Sequence, residues 1–317
     1  MAVRTYLSRI LVLAFLYFLF GWAVARLGQN TGFALIVFPS AGLALGACLY
    51  YGPRLWPGVW IGSFAYYLFF LKDAILLPEL SLLSWVLAAT GMAFAATAQA
   101  LLGYFLFHRF NRPGNPFYQV KEVLSFIVLV GMLVGTVSAS VNLPVLIWSG
   151  FLAGEQLAHE WVTWWLGDLL GVLIVTPVFL VWRQPKSLEW NPSRRVEACM
   201  LFLLFVVASQ VVFGEWLAYS HYPLVYLLFP CLVWAAYRFG HYGAMGAILL
   251  VSLAAVWGTA QGRGPFVLRS PQESMALLQI YLLVLTVMTM ILTAAATQAE
   301  EAQTQAVRFG RILDESS

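Results

Sequence analysis

The sequence predicts an all-α fold: a polytopic integral membrane helix bundle of about ten transmembrane helices, with both termini cytoplasmic. Three observations predict it. Of the 317 residues, 62% are hydrophobic and only 10% charged, where a soluble domain carries about 25% charged residues. The apolar residues fall in runs of about 20, the length needed to cross the bilayer's hydrocarbon core. The basic residues are dense in alternate loops, as the positive-inside rule requires of a multi-pass chain.

The runs lie at 5–27, 31–51, 55–71, 81–108, 122–148, 157–182, 196–217, 222–239, 242–260 and 274–297. The first is long and followed by further spans, so it reads as a retained anchor and not as a cleaved leader. Spans two, three and eight are short, and Pro39, Pro57 and Pro230 start or interrupt them. With the N-terminus inside, the inner segments hold Arg4, Arg9, Arg54, Arg109, Arg112, Lys121, Arg183, Lys186, Arg194, Arg195, Arg238, Arg308 and Arg311. The outer segments hold Arg26, Lys72, Arg263 and Arg269, a division of 13 against 4. Loops 108–121 and 183–197 are connectors too small to be domains. Loop 260–272 is rich in Gly and Pro and reads either as a lid or as a simple turn. Cys48, Cys199 and Cys231 are far apart in apolar stretches, with no C-x-x-C, and read as packing residues.

A faint internal echo joins "FPSAGLALGACLYYG" from Phe38 to "FPCLVWAAYRFG" from Phe229. Both open with Phe-Pro and close on an aromatic residue and Gly. It reads either as a repeat of the kind found in membrane carriers or as two ordinary Phe-Pro kinks.

The sixth span holds the most unusual residue. In "WWLGDLLGVLIVTP", Trp164 to Pro177, the one charged side chain is Asp168. Eleven residues from Leu157 at ~1.5 Å each place it at most ~16 Å below the outer surface. A bare carboxylate there costs roughly 2.5–3.5 kcal/mol, so it must face the interior and be neutral, paired or wet. On a helical projection Trp161, Trp164, Trp165 and Asp168 share a side with Gly171. Gly167 and Gly171 form a small-xxx-small pair that admits a close neighbour. Pro39, Pro177 and Pro230, with these two glycines, are packing or hinge candidates. Asp168 reads as the polar centre of a ligand or proton site, or as a protonated group bonded to a neighbouring helix. Candidate partners are Asn142, beside a break expected at Pro144, and Arg238, which reads equally as a positive-inside anchor. Trp161, Trp164 and Trp165 are candidate walls. Glu160 and His159 lie near the outer surface, where solvated roles are expected.

The tenth span continues as a polar helix. Its apolar positions, Leu292, Ala295, Ala299, Ala302, Ala306, Phe309 and Leu313, recur in alternating steps of three and four, a coiled-coil spacing. Ala299, Ala302, Ala306 and Phe309 are therefore expected to form a signalling seam between two copies. The closing "FGRILDESS" resembles the opening of a PAS domain. The expected division is a membrane sensor over 1–297, a cytoplasmic signalling helix over 298–313 and the start of a truncated PAS-like domain over 309–317.

Three stretches together resemble one family: residues 38–64, residues 161–182 with W-x-x-W-W-L-G-D-x-x-G, and residues 222–247 with F-P-x-x-x-W-x-A-x-R-F-G, followed by "GTAQGRGPF". They are similar to the type-one membrane-associated sensor (MASE) family of bacteria. The resemblance implies a sensory input domain in the inner membrane. It implies that any catalysis lies in downstream modules: PAS with a cyclic-di-GMP cyclase or phosphodiesterase, or a histidine kinase. A small-solute transporter and a scaffold for another membrane protein are the competing readings. The expected partners are the lipid bilayer, a second copy of the chain and an unidentified small ligand or membrane protein; nucleic acid is not among them. No cofactor, metal site or catalytic residue is expected, since the histidines lack haem-ligand spacing and no phosphate-loop, H-E-x-x-H or serine-nucleophile pattern occurs.

Overall fold

The computed structural model describes residues 2–27, 36–74, 81–111, 117–152, 157–182, 191–214 and 224–316. Arg112, Arg183, Lys186 and His221, and the side chains of Phe309 and Leu313, lie outside the described residues. Among the described residues nine long α-helical elements form and no strand. They are α1 (Ala2–Leu27), α2 (Pro39–Tyr51), α3 (Trp56–Ala74), α4 (Leu82–Phe110), α5 (Val120–Trp148), α6 (Leu157–Trp182), α7 (Pro192–Phe213), α8 (Leu228–Ala260) and α9 (Pro271–Ser316).

Seven of these are long and apolar enough to cross a membrane, which corrects the expectation of ten. The difference has a structural cause. Helix α2 has 13 residues, about 20 Å of rise against a hydrocarbon core of about 30 Å. Ten of its residues are buried inside the protein, so its apolar character serves packing and not lipid contact. Helix α3 also falls outside the seven. The expected eighth and ninth spans are one element, α8, broken at Gly240 (φ 57°, ψ −145°). The break is sharp: a Cβ on Gly243 would lie 2.8 Å from the carbonyl oxygen of Ala235, a residue about 12 Å away along an unbroken helix. The 13-to-4 partition of basic residues, built on ten crossings, does not carry over. The two Phe-Pro segments do share a local form. Each short helical stretch ends at a positive-φ glycine, Gly52 or Gly240, before a second helix begins.

Helix starts follow the local chemistry. Ser81 accepts from the amide of Ser84 at the head of α4, and Asn191 accepts from Arg194 ahead of Pro192 in α7. Pro144 does not break α5, contrary to expectation; the helix runs on to Trp148. The irregularity in α5 lies earlier, where Phe126–Leu133 is π-helical. Pro177 likewise stays inside α6.

Helix α6 is the hub. It packs against α2, α5, α8 and α9, and 61% of its most apolar stretch is buried, against 28% in α1 and in α7. The latter two are outer helices: Leu7, Leu11 and Phe15 of α1, and Met200, Leu203 and Val207 of α7, are exposed along faces suited to lipid. The tightest packing joins α2 to α6. A Cβ on Gly42 would overlap the carbonyl oxygen of Gly171, and a Cβ on Gly171 would overlap that of Phe38. Two hydrogen bonds fix the crossing: the Phe38 amide donates to the Gly167 carbonyl at 3.0 Å, and Thr176 Oγ1 donates to the Gly42 carbonyl at 3.0 Å.

Gly171→Ala is expected to lower stability by about 1–3 kcal/mol, the cost of overpacking a tight contact. Gly246→Ala is the control, since open space surrounds that position. Thermal unfolding of the two purified variants in detergent checks this; equal midpoints would remove the crossing from the account.

Candidate functional site

Asp168 is 6% exposed, at the centre of α6. The side chains acting directly on its carboxylate are Ser138 of α5 and Gln99 of α4. Tyr17, Tyr66 and Tyr67 are near enough to feel its charge. None of these is cationic. Gln99 makes only a long contact, because its Nε2 lacks hydrogen-bond geometry to any partner.

The carboxylate opens on a cavity of about 30 Å³, room for about one water. Phe38 closes it from the residue before α2. Tyr66, Tyr67 and Phe70 line it from α3, Ser138 from α5, and Trp164 and Gly167 from α6. The spacing of Tyr66 and Phe70 puts them one turn apart, and their rings stack at 5.5 Å between centroids. Tyr66 also meets Phe38 at 5.5 Å, and Phe38 meets Tyr17 edge-on at 6.0 Å. The wall is therefore a continuous aromatic surface contributed by three segments of chain.

A polar network backs the wall. Asn142, fully buried, donates through Nδ2 to Ser138 Oγ at 3.0 Å and more weakly to the Tyr67 hydroxyl at 3.4 Å. The Tyr67 hydroxyl is paired in turn with Tyr17. Ser40 donates to the Tyr17 carbonyl at 2.8 Å, which ties α1 to the start of α2.

The candidates read from the sequence separate into groups. Asp168 and Trp164 face the cavity, and Asn142 stands one hydrogen bond behind it. Trp164 Nε1 points toward Glu160, short of hydrogen-bond geometry. Trp161 and Trp165 lie on a neighbouring stripe of α6. They stack on each other at 6.0 Å and serve the α5 seam: Trp161 Nε1 donates to Ser140 Oγ at 3.1 Å, and Trp165 Nε1 to the Met132 carbonyl at 2.8 Å, within the π-helical segment. Arg238 is not at the cavity. Its Nε donates to Glu197 Oε2 of α7 at 2.6 Å, and Trp234 donates to the other oxygen at 3.1 Å. Gly167, Gly171 and Pro39 belong to the α2–α6 crossing; Pro177 and Pro230 do not line the cavity.

Sequence reasoning missed the aromatic wall and a buried amide. Tyr66 and Tyr67 sit in "FAYYLFF", an apolar run with no polar outlier to mark it. Gln279 of α9 is fully buried, and its Nε2 donates to the carbonyls of Ile36 at 3.1 Å and Thr163 at 3.0 Å. Those residues stand two before Phe38 and one before Trp164. A lone amide in an apolar span was a readable signal, since such groups bond between helices.

Among the described residues no group of His, Cys, Asp and Glu side chains could hold a metal ion. Fold and site thus define a multi-pass membrane protein with a buried carboxyl group beside a small cavity among its helices. The MASE1 family profile matches residues 7–300, and the chain belongs to that family, the membrane sensor domains of bacterial signalling proteins. No curated protein and no solved structure matches the chain.

Asn142→Leu is expected to cost about 1–3 kcal/mol, because it leaves buried polar neighbours without their donor. Unfolding of the purified variant in detergent measures this; wild-type stability would show that the network contributes nothing.

Proposed function

We propose that the cavity around Asp168 is the sensory site of a domain in the bacterial inner membrane, and that α9 carries its state to cytoplasmic output modules. The observation that supports this best is Gln279. One side chain of α9 bonds both to the segment ahead of Phe38 and to the turn of α6 that bears Trp164. A change in cavity occupancy that moves either wall therefore acts on the last helix. The ligand shifts the balance of two helix arrangements only through its difference in affinity for them.

Helix α9 suits the output role. Its 46 residues amount to about 69 Å of rise, far more than the bilayer needs, and residues 299–308 are exposed throughout. We assign Ala299, Ala302 and Ala306, with Phe309, to a seam between two copies. The C-terminal end of α9 lies in the cytoplasm, and PAS-like and then cyclic-di-GMP or histidine-kinase modules follow in the whole signalling protein.

In the full-length protein, Asp168→Asn should change signalling output while abundance in the membrane stays within about twofold. Gln279→Leu, which keeps the side chain's bulk and removes its donors, should leave output fixed across conditions that switch the wild type. Normal switching in both variants would exclude the cavity and α9 as the route. Ala299→Cys and Ala306→Cys should cross-link between subunits in native membranes; failure at both positions would exclude the seam.

A further inference from the structure

We propose that the cavity recognises a small organic cation through a protonated amine head. This rests on the reading of the cavity as the sensory site. Asp168 supplies a carboxyl group that a bound cation holds ionised, and no Lys, Arg or His among the described residues is paired with it. Around it stand five aromatic side chains, those of Phe38, Tyr66, Tyr67, Phe70 and Trp164. The faces of such rings are electronegative, and several rings around one carboxylate form a cage that favours cations.

Other ligand classes fit less well. An anion is repelled by Asp168. An apolar molecule leaves the carboxylate uncompensated at a cost. A hard metal ion requires several oxygen ligands, and no group of suitable side chains is present among the described residues. A protonated amine brings both the positive charge and the N–H donors. The cavity's 30 Å³ admits a head of about the size of a water, so the nitrogen enters and any longer chain stays outside the cage.

The test is thermal unfolding of the purified chain in lipid nanodiscs, titrated with ammonium, methylammonium or tetramethylammonium chloride. Sodium chloride at matched ionic strength controls for screening. Methylammonium should raise the midpoint saturably, by about 3 °C. Asp168→Asn should abolish the rise, and Phe70→Leu should weaken the apparent affinity about threefold or more. Should Asp168→Asn fail to fold, Phe70→Leu decides alone. No rise beyond that of sodium, or equal rises in wild type and variants, would overturn the proposal. A larger response to tetramethylammonium, which has no N–H group, would overturn the protonated-amine head. If no amine binds while Asp168→Asn still alters output in the full-length protein, the ligand class falls and the sensory site stands. If Asp168→Asn and Gln279→Leu both leave output unchanged, the sensory site itself falls.

Discussion

The start of α2 is the constraint on which the rest of the structure depends. A helix that begins inside an apolar bundle leaves backbone groups with no water to satisfy them, and each orphan costs several kcal/mol. Here the groups are met one by one. Pro39, at the first helical position, has no N–H to satisfy. The Phe38 amide finds the Gly167 carbonyl. The Ile36 carbonyl finds Gln279. These bonds require α2 and α6 to approach at backbone distance, which only Gly42 and Gly171 permit. Gln279 brings α9 into contact with α6 and with the segment ahead of α2.

That arrangement also explains where a carboxylate is tolerated. Asp168 follows the residue whose carbonyl receives α2, so it stands where several helices must already converge on polar business. Ser138, Gln99 and the Asn142–Tyr67 contact come from three more helices. The aromatic wall separates the carboxylate from lipid. Placed on the outer face of α1 or α7, the same side chain would meet hydrocarbon with no partner, at the full insertion cost.

Much of this was legible in the sequence, and the failures have physical causes. Asp168 was conspicuous because one charge in an apolar span cannot be incidental. Hydropathy overcounted the crossings, since α2 is as apolar as a span although its environment is protein and not lipid. A projection of α6 grouped all three tryptophans with Asp168, yet Trp161 and Trp165 belong to one stripe and Trp164 and Asp168 to the next, and the π-helical stretch of α5 selects the first pair. Arg238 looked free to reach inward because its partner, Glu197, lies 41 residues away in sequence. Gln279 was visible as a polar residue in an apolar helix, but its two acceptors are backbone carbonyls, and no side-chain pattern announces those.

The contrast between α8 and α9 bears on how a signal would travel. Helix α8 has a sharp joint at Gly240, where a displacement at one end can be absorbed by backbone rotation. Helix α9 has neither Gly nor Pro between Pro271 and Gly310, so its hydrogen-bonded ladder contains no comparable joint. Gln279 sits near its start, and the exposed stretch from Ala299 begins 20 residues on, a distance of about 30 Å along the axis. Thr286, Thr289 and Thr293 are buried along the intervening face, and Thr289 and Thr293 bond back to their own helix. They add no side-chain bond to neighbouring helices that would resist sliding or turning. A displacement applied at Gln279 thus has no soft point at which to dissipate before it reaches Ala299, which favours movement of α9 as a rigid body over local bending.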